Sequence, residues 1–330
     1  MSGVGLFGWR PIGREDAADW AVLLAAIEAA DHTDEHFSEQ DLLEDFSDPD
    51  RDFERGSVAV YDGTAMVGYG AVTCRSAADP VHEMWQQGGV HPNYRSRGIG
   101  SRLLDWAERA AVPLHRERYP GRPLTLSGAC ISGNDGAVAL YAAHGYRQAR
   151  WFHGMTRDLA TPLPEVPGPA GVDIVGFTPE RSPDARLVSN EAFRDHWGST
   201  DDTVEQWAHF TGLGAFRPAL SFLAYAGQEP LGIIMSQEYD AYTEATGIRD
   251  LHIPLIGTRR MGRKRGIASA LLFRALAEAS AAGFTTASLG VDADSPTGAL
   301  GLYKRAGFTV RDTWIAQLKP VLAAEPADPR

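Results

Sequence analysis

The hexapeptide Arg95-Ser-Arg-Gly-Ile-Gly100 recurs with small changes as Arg263-Lys-Arg-Gly-Ile-Ala268, and the two copies lie 168 residues apart. Residues typical of a strand precede each copy, and a run with apolar residues at helical spacing follows it. The chain therefore contains two strand–turn–helix segments of one kind, each with arginine and glycine at the turn.

A second pair of similar segments follows the two turns. Leu140-Tyr-Ala-Ala-His-Gly145 resembles Leu302-Tyr-Lys-Arg-Ala-Gly307, which lies 162 residues later. The two spacings differ because the loop before the strand at Leu124 is longer in the first copy. Both pairs are explained by an internal duplication of a whole domain.

The length of 330 residues fits two domains, and the proline pattern suggests where they divide. Residues 161–171 contain four prolines, which is typical of a stiff connector. We therefore predict domains at residues 1–160 and 172–322, with a tail at 323–330. Strand and helix patterns alternate in both halves, which predicts an α/β class with a mixed sheet in each domain. A final pair of strands is predicted at residues 146–159.

Composition excludes several classes of protein. Aspartate and glutamate number 43 against 31 lysines and arginines, giving a formal net charge of -12. Such a balance disfavours binding of nucleic acid or an anionic membrane through a broad basic face. No apolar run is long enough to span a membrane, and we expect no signal peptide. The two cysteines, Cys74 and Cys130, are too few for a disulfide framework, so a reducing, cytoplasmic location is expected.

The glycine turns have the composition of a small anion site. Glycine allows the backbone to curl around an anion, and the following helix adds its unpaired N–H groups and the positive end of its dipole. Other phosphate motifs are excluded, because the third glycine of a dinucleotide fingerprint and the Gly-Lys-Ser/Thr of a nucleotide P-loop are both missing. No metal site is predicted, since the cluster from His32 to His36 is interpreted as an acidic loop.

These motifs resemble those of the GNAT superfamily of acetyl-CoA-dependent N-acetyltransferases, present here as a tandem pair covering nearly the whole chain. The resemblance implies that each turn holds the pyrophosphate of coenzyme A and that the pantetheine runs beside the preceding strand. The residues implied in the first copy are Val90, Arg95, Ser96, Arg97, Gly98, Ile99, Gly100, Ser101 and Asn134. Those implied in the second copy are Thr258, Arg263, Lys264, Arg265, Gly266, Ile267, Ala268 and Ser269.

Acetyl transfer to an amine needs a base for the ammonium, donors for the oxyanion and a proton for the thiolate. Tyr303 and Tyr141 stand where the family places the acid, and the alternative is that each tyrosine simply packs in the helix that follows the strand. Asp250 and His252 are two residues apart, so they share one face of a strand and are candidates for the base. Relatives carry glutamate near the position of His252, so a structural histidine remains the alternative, and Glu238 is the fallback base.

Two further regions bear on the site. In the first copy, Gln86, Gln87 and the two glycines after them predict a bulged strand. The segment Phe193-Arg-Asp-His-Trp-Gly198 corresponds to the acceptor-side wall of this fold, so His196 and Trp197 are candidates for contact with substrate. An aromatic patch that closes the helix is the alternative interpretation.

The sequence as a whole favours an acetyl-CoA-dependent N-acetyltransferase that acts on a primary amine of a small molecule. We expect direct transfer in a ternary complex, with the second copy catalytic and the molecule a monomer or homodimer. Two alternatives remain open. One is acetylation of an antibiotic or another cationic metabolite, and the other is a non-catalytic acyl-CoA-binding sensor that would retain coenzyme binding without turnover.

Overall fold

A computed structural model describes residues 7–75, 80–163, 168–194, 196–295 and 298–324. Parts of the predicted linker (164–167) and tail (325–330) lie outside the described residues. The chain forms two compact units. The first unit comprises Met1–Arg150 with Trp314–Arg330, and the second comprises Trp151–Thr313.

The first unit contains a sheet with helices on it. Its elements are β1 (Gly8–Arg10), α1 (Ala17–Asp31), α2 (Glu39–Glu44), α3 (Phe53–Gly56), β2 (Ser57–Asp62), β3 (Ala65–Thr73), β4 (His82–Val90), α4 (Ile99–Arg118), β5 (Leu124–Ile131) and α5 (Asp135–Ala143). A long strand, β6 (Arg147–Asp158), then leads into the second unit.

The second unit repeats this order. Its elements are β7 (Asp173–Gly176), α6 (Ser182–Phe193), α7 (Val204–Gly212), β8 (Phe222–Ala226), β9 (Glu229–Gln237), α8 (Asp240–Thr246), β10 (Asp250–Thr258), α9 (Ile267–Ala281), β11 (Thr286–Asp292) and α10 (Ala299–Arg305). The last strand, β12 (Thr309–Leu322), leads back into the first unit. The repeat confirms the predicted α/β class with mixed sheets, since β4–β5 and β10–β11 are parallel whereas β3–β4 and β9–β10 are antiparallel.

The two units exchange their final strands. Residues 152–158 of β6 pair with β11 in the second unit, and residues 314–322 of β12 pair with β5 in the first. The division therefore falls within β6 and β12 and does not coincide with the predicted linker at 161–171. The predicted pair of strands at 146–159 is wrong, because β6 runs through as one strand. No turn-forming pair such as Asn-Gly interrupts it.

The core of the second unit positions the strands of the site. Leu271, Leu272 and Leu276 of α9 are fully buried in one cluster with Leu251 and Ile253 of β10. Burying a leucine side chain contributes roughly 1.5–3 kcal/mol, so this face of α9 fixes the helix against the sheet. Within the part of the chain described above, no helix is long and apolar enough to cross a membrane.

Candidate active site

The two glycine turns have the same backbone conformation. Ser96 and Lys264, at matching positions, have φ of +61° and +63°, and Gly98 and Gly266 have φ of +80° and +81°. A residue other than glycine is uncommon in the left-handed region and costs of order 1–3 kcal/mol there. Its occurrence in both copies therefore indicates a backbone conformation that the turn requires. Alternating right- and left-handed residues direct successive N–H groups toward one point, which suits an anion.

Each turn leads directly into an uncapped helix. Gly98 precedes α4 and Gly266 precedes α9, and neither glycine has a side chain that could accept from the first N–H groups. Ile99 and Ile267 are 2% and 1% exposed, so they anchor the helices while only their N–H groups face the turn. The structure thus offers two backbone sites that fit a pyrophosphate.

The first arginine of each turn braces the loop. Nε of Arg95 donates to the carbonyl of Val90 (3.2 Å), and Nε of Arg263 donates to the carbonyl of Thr258 (3.3 Å). Arg95 also forms a two-pronged ion pair with Asp31, at 2.7 and 2.8 Å. These contacts hold the turn to the end of its strand, so the two arginines shape the anion site.

The remaining predicted coenzyme residues lie around the same turns. Arg97, Lys264 and Arg265 are exposed, and Ser101 and Ser269 lie in the first turns of α4 and α9. Gly100 and Ala268 occupy the same first turns, and Asn134 caps α5 by accepting from the N–H of Ala137 at 3.0 Å. The exposed cations therefore sit beside the backbone donors of the turns.

In both units the two parallel strands separate beside the turn. Register pairs between β4 and β5 end at Trp85 and Ser127, and those between β10 and β11 end at Ile253 and Leu289. The strands continue beyond these points, so backbone donors and acceptors face a gap rather than a neighbouring strand. Such a gap can bind an extended amide-containing chain.

The gaps of the two units differ in backbone register. The pairing of β3 with β4 is unbroken from Thr73–Trp85 to Gly68–Val90, so the bulge predicted in the first copy is wrong. The pairing of β9 with β10 instead shifts between His252 and Leu255, where β10 carries one extra residue. Pro254 lies within this bulge and cannot donate to a ladder, which accounts for the irregularity.

The two tyrosines also differ. Nε2 of Gln86, the first residue past the last β4–β5 pair, donates to the hydroxyl of Tyr141 (3.3 Å) and lies against Gly128 across the gap. Tyr303 is 5% exposed, and its hydroxyl has no hydrogen-bond partner within the described residues. Burial raises the pKa of both tyrosines, so each hydroxyl stays protonated.

His252 belongs to a hydrogen-bonded chain on one face of β10 and β11. The hydroxyl of Ser288 donates to Asp250 Oδ2 (2.5 Å), because an ionised carboxylate can only accept. Ser288 Oγ must then accept from Nδ1–H of His252 (3.1 Å). Nε2 of His252 is therefore left unprotonated. Burial, with Arg311 nearby, lowers the pKa of His252 even though Asp250 opposes the shift, so the ring is neutral at neutral pH.

The carboxylates of the other two predicted bases, Asp250 and Glu238, already accept hydrogen bonds from neighbouring side chains. Asp250 accepts from Ser288 and from the hydroxyl of Thr286 (2.5 Å), so both of its oxygens are engaged. Glu238 is 7% exposed and accepts from Arg249 (2.5 Å) and Arg217 (2.8 Å). Burial raises its pKa, but these two arginines outweigh burial and lower it overall. A carboxylate held in this way is a weak base, so the geometry favours His252.

Tyr303 and His252 lie on opposite faces of the separated strands. Tyr303 packs in the cluster that contains Leu251 and Leu289, whereas His252 and Ser288 are the alternate residues on the same strands. Successive side chains of a strand point to opposite faces. A group held in the gap would therefore meet the tyrosine on one side and the histidine on the other.

The His252 face also presents a shallow open area. Gly290, directly opposite Gly154 on β6, is exposed, and no described atom lies within 4 Å of the position where its Cβ would be. The carboxylate of Asp312 covers Gly154. Its Oδ2 accepts from Arg311 (2.8 Å), while its Oδ1 is buried with no partner among the described residues. The buried Asp312 Oδ1 is therefore an unsatisfied acceptor beside this open area.

The predicted acceptor wall lies on the same face. The ring of Trp197 packs against Phe152 with centroids 6.1 Å apart, and Phe152 is paired with Asp292 on the face of Gly290. His196 instead packs on Phe193, with centroids at 4.9 Å. Trp197 is thus brought toward the open area.

The two buried histidines of the first unit, His82 and His115, form a hydrogen-bonded pair in its core. His82 is fully buried, its Nδ1 lies 2.8 Å from Nδ1 of His115, and Nε2 of His115 lies 2.9 Å from the carbonyl of Arg122. His115 must donate to that carbonyl through Nε2–H, so its Nδ1 accepts from His82. Burial, with His115 nearby, lowers the pKa of His82 to about 4. The pair is therefore a core hydrogen-bond network.

Both halves of the chain match models of acetyltransferase families. Residues 54–148 match the model of an acetyltransferase (GNAT) domain, and residues 184–308 match that of the acetyltransferase (GNAT) family. Relatives of similar length also match along most of the chain. A mycothiol acetyltransferase from Salinispora arenicola is 30% identical over 303 residues, covering 89% of this chain and 90% of that protein.

The chain belongs to the GNAT acetyltransferase family. A mycothiol acetyltransferase from Thermobispora bispora is 31% identical and covers 90% of this chain and 94% of that protein. A GCN5-related N-acetyltransferase from Sphaerobacter thermophilus shares the fold with a TM-score of 0.76 and 27% identity, covering 97% of each chain. A tandem GNAT protein from the clavulanic acid biosynthesis pathway, at 17% identity, has a TM-score of 0.69.

Membership of the GNAT family makes this chain an N-acetyltransferase with tandem domains, as the repeated motifs predicted. GNAT enzymes use acetyl-CoA, and the two glycine turns are sites that fit its pyrophosphate. The described residues include no group of three or more histidine, cysteine, aspartate or glutamate side chains placed to hold a metal.

Sequence reasoning missed several residues of this GNAT site. Ser288 and Thr286 are polar residues two apart in an otherwise apolar strand, a pattern that signals a polar face beside His252. Asp312 gave no such signal, because its contact with Gly154 depends on the exchanged strand β6. The sequence around Gln86 predicts a bulge and carries no signal for the gap in which its side chain lies.

Proposed function

We propose that the second unit transfers an acetyl group from acetyl-CoA directly to a primary amine of a small molecule. One observation carries this proposal: Tyr303 and the Nε2 atom of His252 lie on opposite faces of the bulged, separated strands. Direct transfer needs an acid on the thiolate side and a base on the amine side, and both are present at a single gap.

The chemistry follows from these positions. His252 Nε2 takes a proton from the acceptor ammonium, and the amine nitrogen attacks the thioester carbonyl carbon. The tetrahedral intermediate loses the second proton of its nitrogen to solvent, and the carbon–sulfur bond breaks to leave the amide. The Tyr303 hydroxyl gives its proton to the departing thiolate and is later reprotonated by solvent. Asp250 and Ser288 hold His252 in the tautomer with Nδ1 protonated. Backbone N–H groups at the bulge of β10 supply donors for the oxyanion.

The first unit is proposed to bind coenzyme A or to serve structure, without turnover. Its turn has the same conformation as the catalytic one, so its anion site is intact. Its gap, however, has the Gln86 side chain across it, and Gln86 engages the hydroxyl of Tyr141. The strand also lacks the register shift seen in β10. Both differences disfavour a thioester in the first gap.

The acceptor is proposed to carry hydrogen-bond donors in addition to its amine. Asp312 Oδ1, on the acceptor face, lacks a hydrogen-bond partner among the described residues, and Trp197 with Phe152 adds an apolar wall there. The relatives are named for mycothiol, so the free amine that yields mycothiol on acetylation is the first acceptor to test.

A screen for coenzyme A thiol release tests the proposal. The protein is incubated with acetyl-CoA and a library of amines that includes this compound, aminoglycosides and polyamines, and products are identified by mass. The proposal expects an acetylated amide together with stoichiometric free thiol. Binding of acetyl-CoA with no thiol release from any amine would contradict it and would favour an acyl-CoA sensor.

A further inference from the structure

The first unit contains a groove that is separate from its glycine turn. The groove has a volume of about 330 Å³ and lies between α4 and the β1–β2 edge. Its walls include Trp9, Trp106, Arg102 and Arg109. We propose that it binds a small organic anion with an aromatic ring, of the size of a nucleoside monophosphate. A volume of this order is at the lower end of small-molecule sites.

The lining charges of this groove that form no ion pair among the described residues are Arg102, Arg109 and the carboxylate of Glu54, so the balance is positive. Arg102 and Arg109 are exposed, and neither has a carboxylate partner among the described residues. The other two arginines of the groove are neutralised, since Arg10 pairs with Asp16, and Arg55 pairs with Asp52 and Glu117. Two guanidinium groups remain to bind a phosphate or carboxylate, for which their planar donors are suited.

The walls of the groove provide the second half of the recognition. The guanidinium of Arg102 stacks on the ring of Trp9, 4.2 Å from its centroid, and Trp106 lies one helical turn beyond Arg102. Nε1 of Trp9 is buried and has no hydrogen-bond partner within the described residues. An unpaired indole N–H costs free energy, so Trp9 contributes an unsatisfied donor to the wall of the groove.

The duplication shows that the fold does not need these residues. Positions 102, 106 and 109 of α4 correspond to Ala270, Arg274 and Ala277 of α9, by the spacing that relates Gly98 to Gly266. Arg274 is paired with Glu278 at 2.9 Å. Arg274 also lies over the ring of Phe222, 5.2 Å from its centroid, but with its charge paired. The two arginines without a carboxylate partner are therefore a property of the first unit.

The groove also lies on a different face of α4 from the coenzyme side. Gly100 faces Leu140 of α5, to which a Cβ on Gly100 would come within 2.9 Å. Arg102 and Arg109 instead face the β1–β2 edge. With a net charge of -12, the chain repels a long polyanion, so the ligand class is a small anion rather than nucleic acid.

Calorimetric titration with adenosine monophosphate tests this site on the full chain, with acetyl-CoA present throughout at saturation. We expect saturable binding in the parent protein and affinity reduced roughly tenfold or more in the double variant R102Q/R109Q. The matched control Arg274→Gln in α9 should bind as the parent does. Inorganic phosphate and adenosine, titrated alone, should each bind more weakly than the monophosphate, because each offers half of the recognition.

Several outcomes would overturn the proposal. They are absence of saturable binding, equal affinity in R102Q/R109Q, phosphate binding as tightly as the monophosphate, and saturable binding that is seen only when acetyl-CoA is left out. The last would assign the heat to a coenzyme site. Both arginines are exposed, so the double variant should fold, and Arg109→Gln alone provides a milder second variant. Because no turnover is measured, the result is independent of the proposed acetyltransferase mechanism.

Discussion

Ser288→Ala tests the hydrogen-bonded chain that prepares His252 as a base. Ser288 Oγ lies 3.1 Å from Nδ1 of His252 and 2.5 Å from Asp250 Oδ2, so alanine removes both bonds and leaves Nδ1–H unpaired. The ring then loses the contact that selects its tautomer and orientation. Within the described residues the side-chain hydrogen bonds of Ser288 go to the histidine and the aspartate, so the expected effect on turnover passes through His252.

The expected magnitude follows from these contacts. A hydrogen bond of this kind contributes about 1 kcal/mol, and its loss corresponds to roughly a five- to tenfold fall in kcat. His252→Ala removes the base itself and should lower kcat by about 10²–10⁴-fold. Thr286→Ala is the matched control, because Thr286 donates to the same aspartate but does not touch the histidine. It should change kcat by less than about twofold, within the effect of a single indirect hydrogen bond.

Steady-state rates of thiol release, measured across pH, distinguish an effect on the positioning of His252 from an effect on binding of the amine. In the parent enzyme, kcat/KM should rise with pH through a pKa below 6.5 and then level off, because burial lowers the pKa of His252. That rise should persist in Ser288→Ala with KM for the amine unchanged, be restored toward parent activity in Ser288→Thr, and disappear in His252→Ala. An unchanged rise in His252→Ala, or equal losses in Ser288→Ala and Thr286→Ala, would refute the reasoning.

Three further predictions concern the acceptor face, the turns and the core. Asp312→Asn should raise KM for the amine at unchanged kcat, because it removes the negative charge of the carboxylate whose Oδ1 has no partner among the described residues. An unchanged KM would count against a contact between Asp312 and the amine. Gly266→Val should raise KM for acetyl-CoA roughly tenfold while Gly98→Val should not, because both strain a left-handed turn but only one turn is proposed to serve catalysis. Burial keeps His82 neutral in the folded state, so protonation of His82 favours unfolding. The free energy of unfolding, measured by urea titration, should therefore fall by up to about 3 kcal/mol between pH 6.5 and 4. His82→Phe should flatten this dependence on pH.

Much of the fold was accessible from the sequence because it rests on local patterns. The repeated turns predicted two α/β domains, and the turn-forming pairs Asp62-Gly63 and Gly227-Gln228 join the β2–β3 and β8–β9 hairpins. Both glycines have a φ near +60°, which the residue type itself favours. Signals of this kind depend only on neighbouring residues.

The strand exchange was not accessible, because it depends on long-range pairing. β6 could in principle complete either sheet, and nothing in its own residues states that it pairs with β11. The proline-rich stretch at 161–171 has the composition of a connector, whereas the units divide within β6 and β12. The bulge was similarly misplaced, since two glycines in β4 were a stronger local signal than the single Pro254 in β10.

The residues of the candidate site also fall into those that the sequence predicts and those that only the fold reveals. The glycine turns were found because their function needs a local sequence, whereas the choice among Asp250, His252 and Glu238 required partners from other strands. Only the structure shows Arg217 and Arg249 on Glu238. Without them, a buried glutamate would have remained a reasonable base.

The central claim, that acetyl transfer takes place in the second unit, is tested most directly by comparing Tyr303→Phe with Tyr141→Phe. Each variant loses one hydroxyl at the corresponding place in its unit, and kcat is measured by thiol release with the same amine at saturating acetyl-CoA. We predict a fall of about 10²-fold or more in Tyr303→Phe, as expected on removing a general acid, and less than about twofold in Tyr141→Phe. Equal losses in the two variants, or a larger loss in Tyr141→Phe, would contradict the account.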